Sequence, residues 1–222
     1  MRVEFDHVFI CVSAGGEEEA SSLVRFGLTE GSSNLHPGQG TACRRFFFAN
    51  GYLELLWVCH AGEAQSATTR PTCLWERWEN RANGACPFGL GLRPRVQHVG
   101  PAPFSSWEYR PLYLPSPLSI RVATNASALT EPMLFYLPFA RRPDSHPMAQ
   151  PLRHRAGLHE VTRLELVSPY VHSLSPEIAA VTAPGLAILR AGPQFLVELG
   201  FDQESQGQQA DFRPGLPLLF CW

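Results

Sequence analysis

The sequence predicts an α+β fold built from two strand-rich modules of like order, the second abbreviated. Two observations carry this prediction. Most patterned segments are short runs of alternating, β-branched or aromatic residues, with only a few helical spacings between them. The two ends of the chain also run alike: strand, helix closing on Gly-Leu (Gly27-Leu28 and Gly185-Leu186), strand, turn, strand. At 222 residues, 45% of them hydrophobic and 14 of them Phe, the chain is long enough to bury a full core.

Residues 3–12 (VEFDHVFICV) read as a strand with Val3, Phe5, His7, Phe9 and Cys11 on one face. Ser13-Ala14-Gly15-Gly16 ends it, and Glu17-Glu18-Glu19 opens a helix with negative charge at its positive end. After the turn-rich stretch 31–40, residues 41–49 and 52–58 read as two strands joined by Asn50-Gly51, a strong hairpin signal. Leu74, Trp75 and Trp78 predict a core-facing helix over 71–82, with the tryptophans as a second choice for a pocket mouth. Strand-like pieces follow at 87–93, 107–113, 117–123 and 132–137. The proline-rich segment 141–156 reads as a linker or long surface loop. Beyond it come a strand over 160–167, a helix over 175–181 capped by Ser175-Pro176, and a hairpin of 186–190 with 195–201. The closing LPLLFCW is expected to pack on the core or on a partner chain, which makes a homodimer worth testing. The division expected is 1–140 and 157–222 within one compact unit.

Composition narrows the function. Eighteen basic residues against twenty acidic ones leave a net charge of −2, with no excess to meet a phosphate backbone, so nucleic acid is not expected as a partner. All eighteen are arginine, which removes lysine Schiff-base, pyridoxal-phosphate and P-loop lysine chemistry. The six cysteines form no CxxC pair and sit among apolar neighbours, as thiols in a reducing compartment do. The amino terminus alternates charged and apolar residues, unlike a signal peptide, and no apolar run suffices for a membrane span. A cytoplasmic location is the expectation.

The closing strands of the two modules align, and each holds one carboxylate between large apolar residues: Glu54 in Tyr-Leu-Glu-Leu-Leu-Trp and Glu198 in Phe-Leu-Val-Glu-Leu-Gly-Phe. A glutamate so placed costs free energy unless it is paired, protonated or ligating a cation, or unless its strand turns it to solvent. Together with Phe5-Asp6-His7-Val8-Phe9, His36-Pro37-Gly38-Gln39-Gly40-Thr41 and Gly51-Tyr52-Leu53-Glu54-Leu55, this pattern resembles the vicinal-oxygen-chelate superfamily, the glyoxalase and bleomycin-resistance fold. Within it, the chain is similar to bacterial glyoxalase-like domain proteins. The resemblance is good over 3–58 and weaker over 157–201.

The resemblance implies paired βαβββ-type glyoxalase modules forming a cupped cavity. It also implies a divalent metal ion held by the first and fourth strands of each module, which places the ligands at His7, Glu54 and Glu198. The fourth ligand position falls on Thr162, a poor ligand, with His159, His154 and His36 as alternatives. Such an ion would polarise a substrate carbonyl while Glu54 or Glu198 moves a proton. The function implied is a metal-dependent lyase or isomerase acting on a small oxygen-rich metabolite. The alternative is a metal-free small-molecule binding protein of the drug-sequestering kind, with His7 and Glu54 as a buried hydrogen-bonded pair. Arg44 and Arg45 lie on opposite strand faces, so one of them can enter the cavity and clamp a substrate carboxylate. His36 and Thr162 complete the substrate-binding candidates.

Overall fold

The computed structural model describes residues 3–96 and 100–222; Met1 and Arg2, with which the amino-terminal reading begins, lie outside them. In chain order the elements are β1 (Val3–Cys11), α1 (Glu17–Phe26), β2 (Asn34–His36), β3 (Thr41–Phe48), β4 (Gly51–Val58), α2 (Ala61–Ala64), α3 (Leu74–Glu79), β5 (Phe88–Pro94), β6 (Ser106–Tyr109), β7 (Ile120–Ala123), β8 (Met133–Tyr136), β9 (Val161–Ser168), α4 (Pro176–Thr182), β10 (Ile188–Ala191), β11 (Leu196–Phe201), β12 (Gln209–Asp211) and β13 (Leu218–Cys221).

These strands make two sheets. The first has eight strands in the order β2-β3-β4-β1-β5-β8-β7-β6, and the second has five, β10-β9-β11-β13-β12. The eight-stranded sheet is itself a repeat. β1 pairs with β4 in parallel, as β5 does with β8, and the halves join through the antiparallel pair β1–β5. The partner of the first module within its sheet is therefore 88–136. The segment 157–221 forms the second sheet, and membership changes across 141–156, where the sequence suggested a linker.

Alternation decides what each face does. Val8, Ile10, Phe46, Phe48, Leu53, Leu55, Leu90 and Leu92 leave one side of the larger sheet and pack against Leu164, Leu166, Val197, Leu199, Phe201 and Phe220 of the smaller, with α1 and α4 closing the edges. Phe48 meets Phe201 across this core at a ring separation of 4.6 Å. The other side of the larger sheet carries a smaller apolar cluster around Phe9, Leu56, Val122, Met133 and Phe135, which lines the cup.

Two sequence expectations change and a third is narrowed. The helix over 71–82 is interrupted because Cys73 takes a left-handed backbone (φ 54°), so a 3₁₀ turn at 70–72 precedes a short α3. The hairpin of 186–190 with 195–201 does not form, because β9 lies between β10 and β11. The carboxy-terminal strand β13 pairs with β11 and buries Leu218 and Phe220 in the chain's own core. The helix capped by Ser175 forms as expected, its side chain accepting from the Ile178 amide. Among the described residues, no helix is long and apolar enough to cross a membrane.

Candidate functional site

Because Leu53 and Leu55 face the core, Glu54 must face the cup. By the same alternation His7 on β1, Tyr52 on β4 and Cys43 and Arg45 on β3 turn that way. They converge on a cavity of about 180 Å³ whose wall includes His7, His36, Gln39, Arg45, Tyr52 and Glu54.

His7 is the hub. Its Nδ1 donates to Asp6 Oδ1 at 2.6 Å, its Nε2 lies 3.3 Å from Glu54 Oε2, and its ring stacks on Tyr52 with centroids 4.3 Å apart. Asp6 is held in turn by Arg93, whose guanidinium also reaches Glu4 and donates to the Asn50 carbonyl. Asp6, His7, Glu54 and Arg93 are all buried, so signs alternate along an enclosed chain of charges. Burial pulls His7 towards its neutral form, but the Asp6 hydrogen bond and the Glu54 carboxylate outweigh it and raise the imidazole to about 9. Burial likewise favours neutral Glu54, yet His7, assisted by His36 and Cys43, holds it down to about 2.

Gly91 sits opposite His7 across the β1–β5 pair. A Cβ there would lie 2.8 Å from the Phe135 ring and 2.9 Å from the His7 ring. Gly91→Ala should therefore push His7 or Phe135 aside and cost about 1–3 kcal/mol. Denaturant unfolding checks this, and an unchanged midpoint would contradict the crowding.

His36 reaches the cup from the end of β2, at the start of the loop to β3. Gly40 closes that loop at φ +73°, where a Cβ would meet the His60 carbonyl at 2.2 Å. His36 Nδ1 is 2.9 Å from the Thr41 hydroxyl, which also accepts from Gln39 Nε2 at 2.8 Å. Burial lowers the His36 imidazole and keeps it neutral. The buried Cys43 thiol, pushed far up by burial and by the neighbouring Glu54 charge, stays protonated.

Of the two arginines offered for substrate, only Arg45 faces the cup. It donates to the Ser32 carbonyl (2.8 Å) and hydroxyl (2.9 Å) and lies over the Phe47 and Tyr52 rings, with no carboxylate in ion-pair reach among the described residues. Arg45 and Tyr52 also line an adjoining cavity of about 480 Å³ that runs along 137–150. Arg44 points to the other face and forms a bidentate pair with Glu30, at 2.7 and 2.8 Å, so it does not serve the site.

Glu198 does not join His7 and Glu54. Its strand neighbours Val197 and Leu199 face the common core, so Glu198 must turn to the outer side of the smaller sheet, away from the cup. There it stands beside Glu165, and Arg163 and Arg190 bridge the two carboxylates. Thr162 is exposed on the same sheet, donating to the Gly200 carbonyl and accepting from the Gln203 amide, and takes no part in the cup. His154 bridges the Thr29 amide and the Phe47 carbonyl, a structural tie, and His159 is exposed. At the pocket wall, Leu74 stands where a tryptophan was the second choice.

Residues 5–90 match the family described as a glyoxalase-like domain, and this stretch holds His7, His36, Cys43, Arg45 and Glu54. Residues 5–90 are a glyoxalase-like domain of the vicinal-oxygen-chelate superfamily. The fold extends beyond this glyoxalase-like domain. The crystal structure of a hypothetical protein from Staphylococcus aureus is similar over 99% of this chain and 99% of its own, with a TM-score of 0.53 at 11% identity. That likeness is one of fold. A xylose isomerase-like TIM barrel/4-hydroxyphenylpyruvate dioxygenase fusion protein is similar over 93% of this chain and 38% of its own, at 11% identity and a TM-score of 0.48, too low to argue from. No curated protein matches the chain.

The four-point metal set implied by the superfamily is not assembled here. The first module offers His7 and Glu54, but the cup-facing residues of β5 and β8 are Gly89, Gly91, Met133 and Phe135, none with a nitrogen or carboxylate donor. Glu198 is turned outward. Among the described residues, the superfamily arrangement, with ligands from both modules, is not formed.

Sequence reasoning did not find Asp6, Arg93 or Cys43. Cys43 was legible from its alternation with Arg45 on β3. Asp6 neighbours His7 at an irregularity in the β1–β5 register, where strict alternation fails, and Arg93 is brought in from a distant strand with no local signal.

Proposed function

We propose that the protein is a lyase or isomerase acting on a small oxygen-rich carboxylate bound in the cup of the larger sheet. The observation that carries this reading is an opposite-charge pair, His7 and Glu54, at one end of a cavity whose rim holds Arg45 without a carboxylate partner among the described residues.

Arg45 would take the substrate carboxylate, and the apolar wall of Val122, Met133 and Phe135 would cover its hydrocarbon part. A substrate carbonyl oxygen that engages His7 draws the imidazolium away from Glu54. Glu54 then loses the cation that weakens it as a base and can accept a proton from the carbon beside the carbonyl, while His7 donates to the oxygen. Asp6 keeps the His7 ring in register throughout. A divalent ion bound beside Glu54 would supply additional polarisation of the carbonyl.

The closed His7–Glu54 pair and the ligand-free second wall favour one other reading, a metal-free binding protein for the same class of molecule. Exchange into deuterated water of the substrate proton on the carbon beside the carbonyl, followed by proton NMR over a panel of small 2-oxo and 2-hydroxy carboxylates, tests both. Exchange that Glu54→Gln abolishes supports the enzyme; binding with no exchange supports the binder. Arg45→Ala should weaken binding about 10- to 100-fold, the value of a charge-assisted contact, while Arg44→Ala leaves it unchanged. Equal binding by wild type and Arg45→Ala would overturn the placement of the carboxylate.

A further inference from the structure

We propose that His36, Cys43 and Glu54 form a thiolate-containing site for a borderline divalent ion such as zinc, cobalt(II) or iron(II), built within the first module alone. One ligand atom from each residue lies within 4.8 Å of the others, and all three residues are buried. They stand on adjacent strands: His36 at the end of β2, Cys43 on β3 and Glu54 on β4. The strand ladder therefore fixes their spacing before any ion arrives.

Further features bear on this use. His36 has Nδ1 tied to Thr41, the outer-shell arrangement that orients a ligating imidazole. His36 and Glu54 both line the cavity, so an ion between them would keep a coordination position open to the cup. Cys43 is a free, fully enclosed thiol beside a carboxylate, a neighbour that an inert core cysteine does not need. A sulfur, nitrogen and oxygen set selects zinc, cobalt, iron, nickel or copper over magnesium, calcium or manganese. Binding exchanges the Cys43 thiol proton for the metal–sulfur bond, and the proton leaves to solvent. The thiolate and the Glu54 carboxylate then balance the charge of the ion.

Cobalt(II) is the probe, added without oxygen to the chelator-treated full chain. The expected result is one ion per chain with a near-ultraviolet thiolate-to-cobalt charge-transfer band. Cys43→Ser should lose the band, and Cys59→Ser, which alters an exposed cysteine, should keep it. His36→Ala and Glu54→Gln should each weaken binding by at least the roughly 10- to 100-fold that follows loss of even an outer-shell partner. As a check independent of variant folding, zinc bound to the wild-type chain should protect Cys43 from alkylation at urea concentrations that open the core to the reagent in the metal-free chain, read by peptide mass spectrometry. A band that survives Cys43→Ser, cobalt bound with no such band, no stoichiometric binding, or Cys43 alkylated equally with and without zinc would each overturn the site. None of these readouts depends on turnover, so failure here is distinct from failure of the catalytic reading.

Discussion

Arg93→Met should destabilise the protein by about 3–5 kcal/mol, the cost of breaking an enclosed ion pair by removing one partner. Arg93 is 1% exposed and Asp6 2%, so the change removes the guanidinium partner of a buried carboxylate. Met fills much of the volume, which leaves the lost charge as the dominant effect. The damage should reach the cup, because Asp6 orients His7 and would be left with that imidazole as its remaining charged neighbour. Glu4→Gln, at the more exposed end of the same chain of charges, should cost far less. Urea unfolding of the two variants measures the difference. A loss below about 1 kcal/mol for Arg93→Met would show that the charges contribute little.

In chelator-treated protein, one histidine should remain protonated until about pH 9, visible as a late imidazole titration by NMR. Glu54→Gln should bring that value well down, since it removes a charge in contact with His7 and leaves Asp6 to oppose burial. The same pair sets a pH window for stability. His7 binds its proton more tightly in the folded state than its ordinary 6.5, so its contribution is complete below about 6.5 and is lost as pH rises through about 9. Glu54 is held near 2 against its ordinary 4.5, so its contribution is complete above about 4.5 and is lost as pH falls through about 2. Thermal unfolding across pH should show both limbs in the wild type and a flattened profile in Glu54→Gln. An imidazole spectrum with every histidine titrating near 6.5 would remove the pair from the account.

Much of the fold was legible because its signals are local. Asn50-Gly51 marked the β3–β4 turn and Ser175-Pro176 marked the start of α4, while the resemblance to the superfamily, rather than alternation, brought His7 and Glu54 together. Strand pairing is not local, and the inference failed there. The mid-strand carboxylates Glu54 and Glu198 do share a rule: each points away from the core its neighbours fill. Since that core lies between the two sheets, the rule sends Glu54 into the cup and Glu198 out through the opposite side. The module that completes the cup, 88–136, was hard to see because the cup-facing positions of its strands β5 and β8 are glycine and apolar residues, which carry no chemical signature. Arg93 was invisible for a related reason: its partners Glu4 and Asp6 are joined to it only through a long-range strand pair.

The division of the cup into a charged side from β1–β4 and an oily side from β5–β8 bears on handedness. A flat, trigonal reaction intermediate bound against the charged side would show one face to imidazole and carboxylate and the other to the apolar lining. Protons could then arrive from a single direction, and any new stereocentre would form in one configuration only.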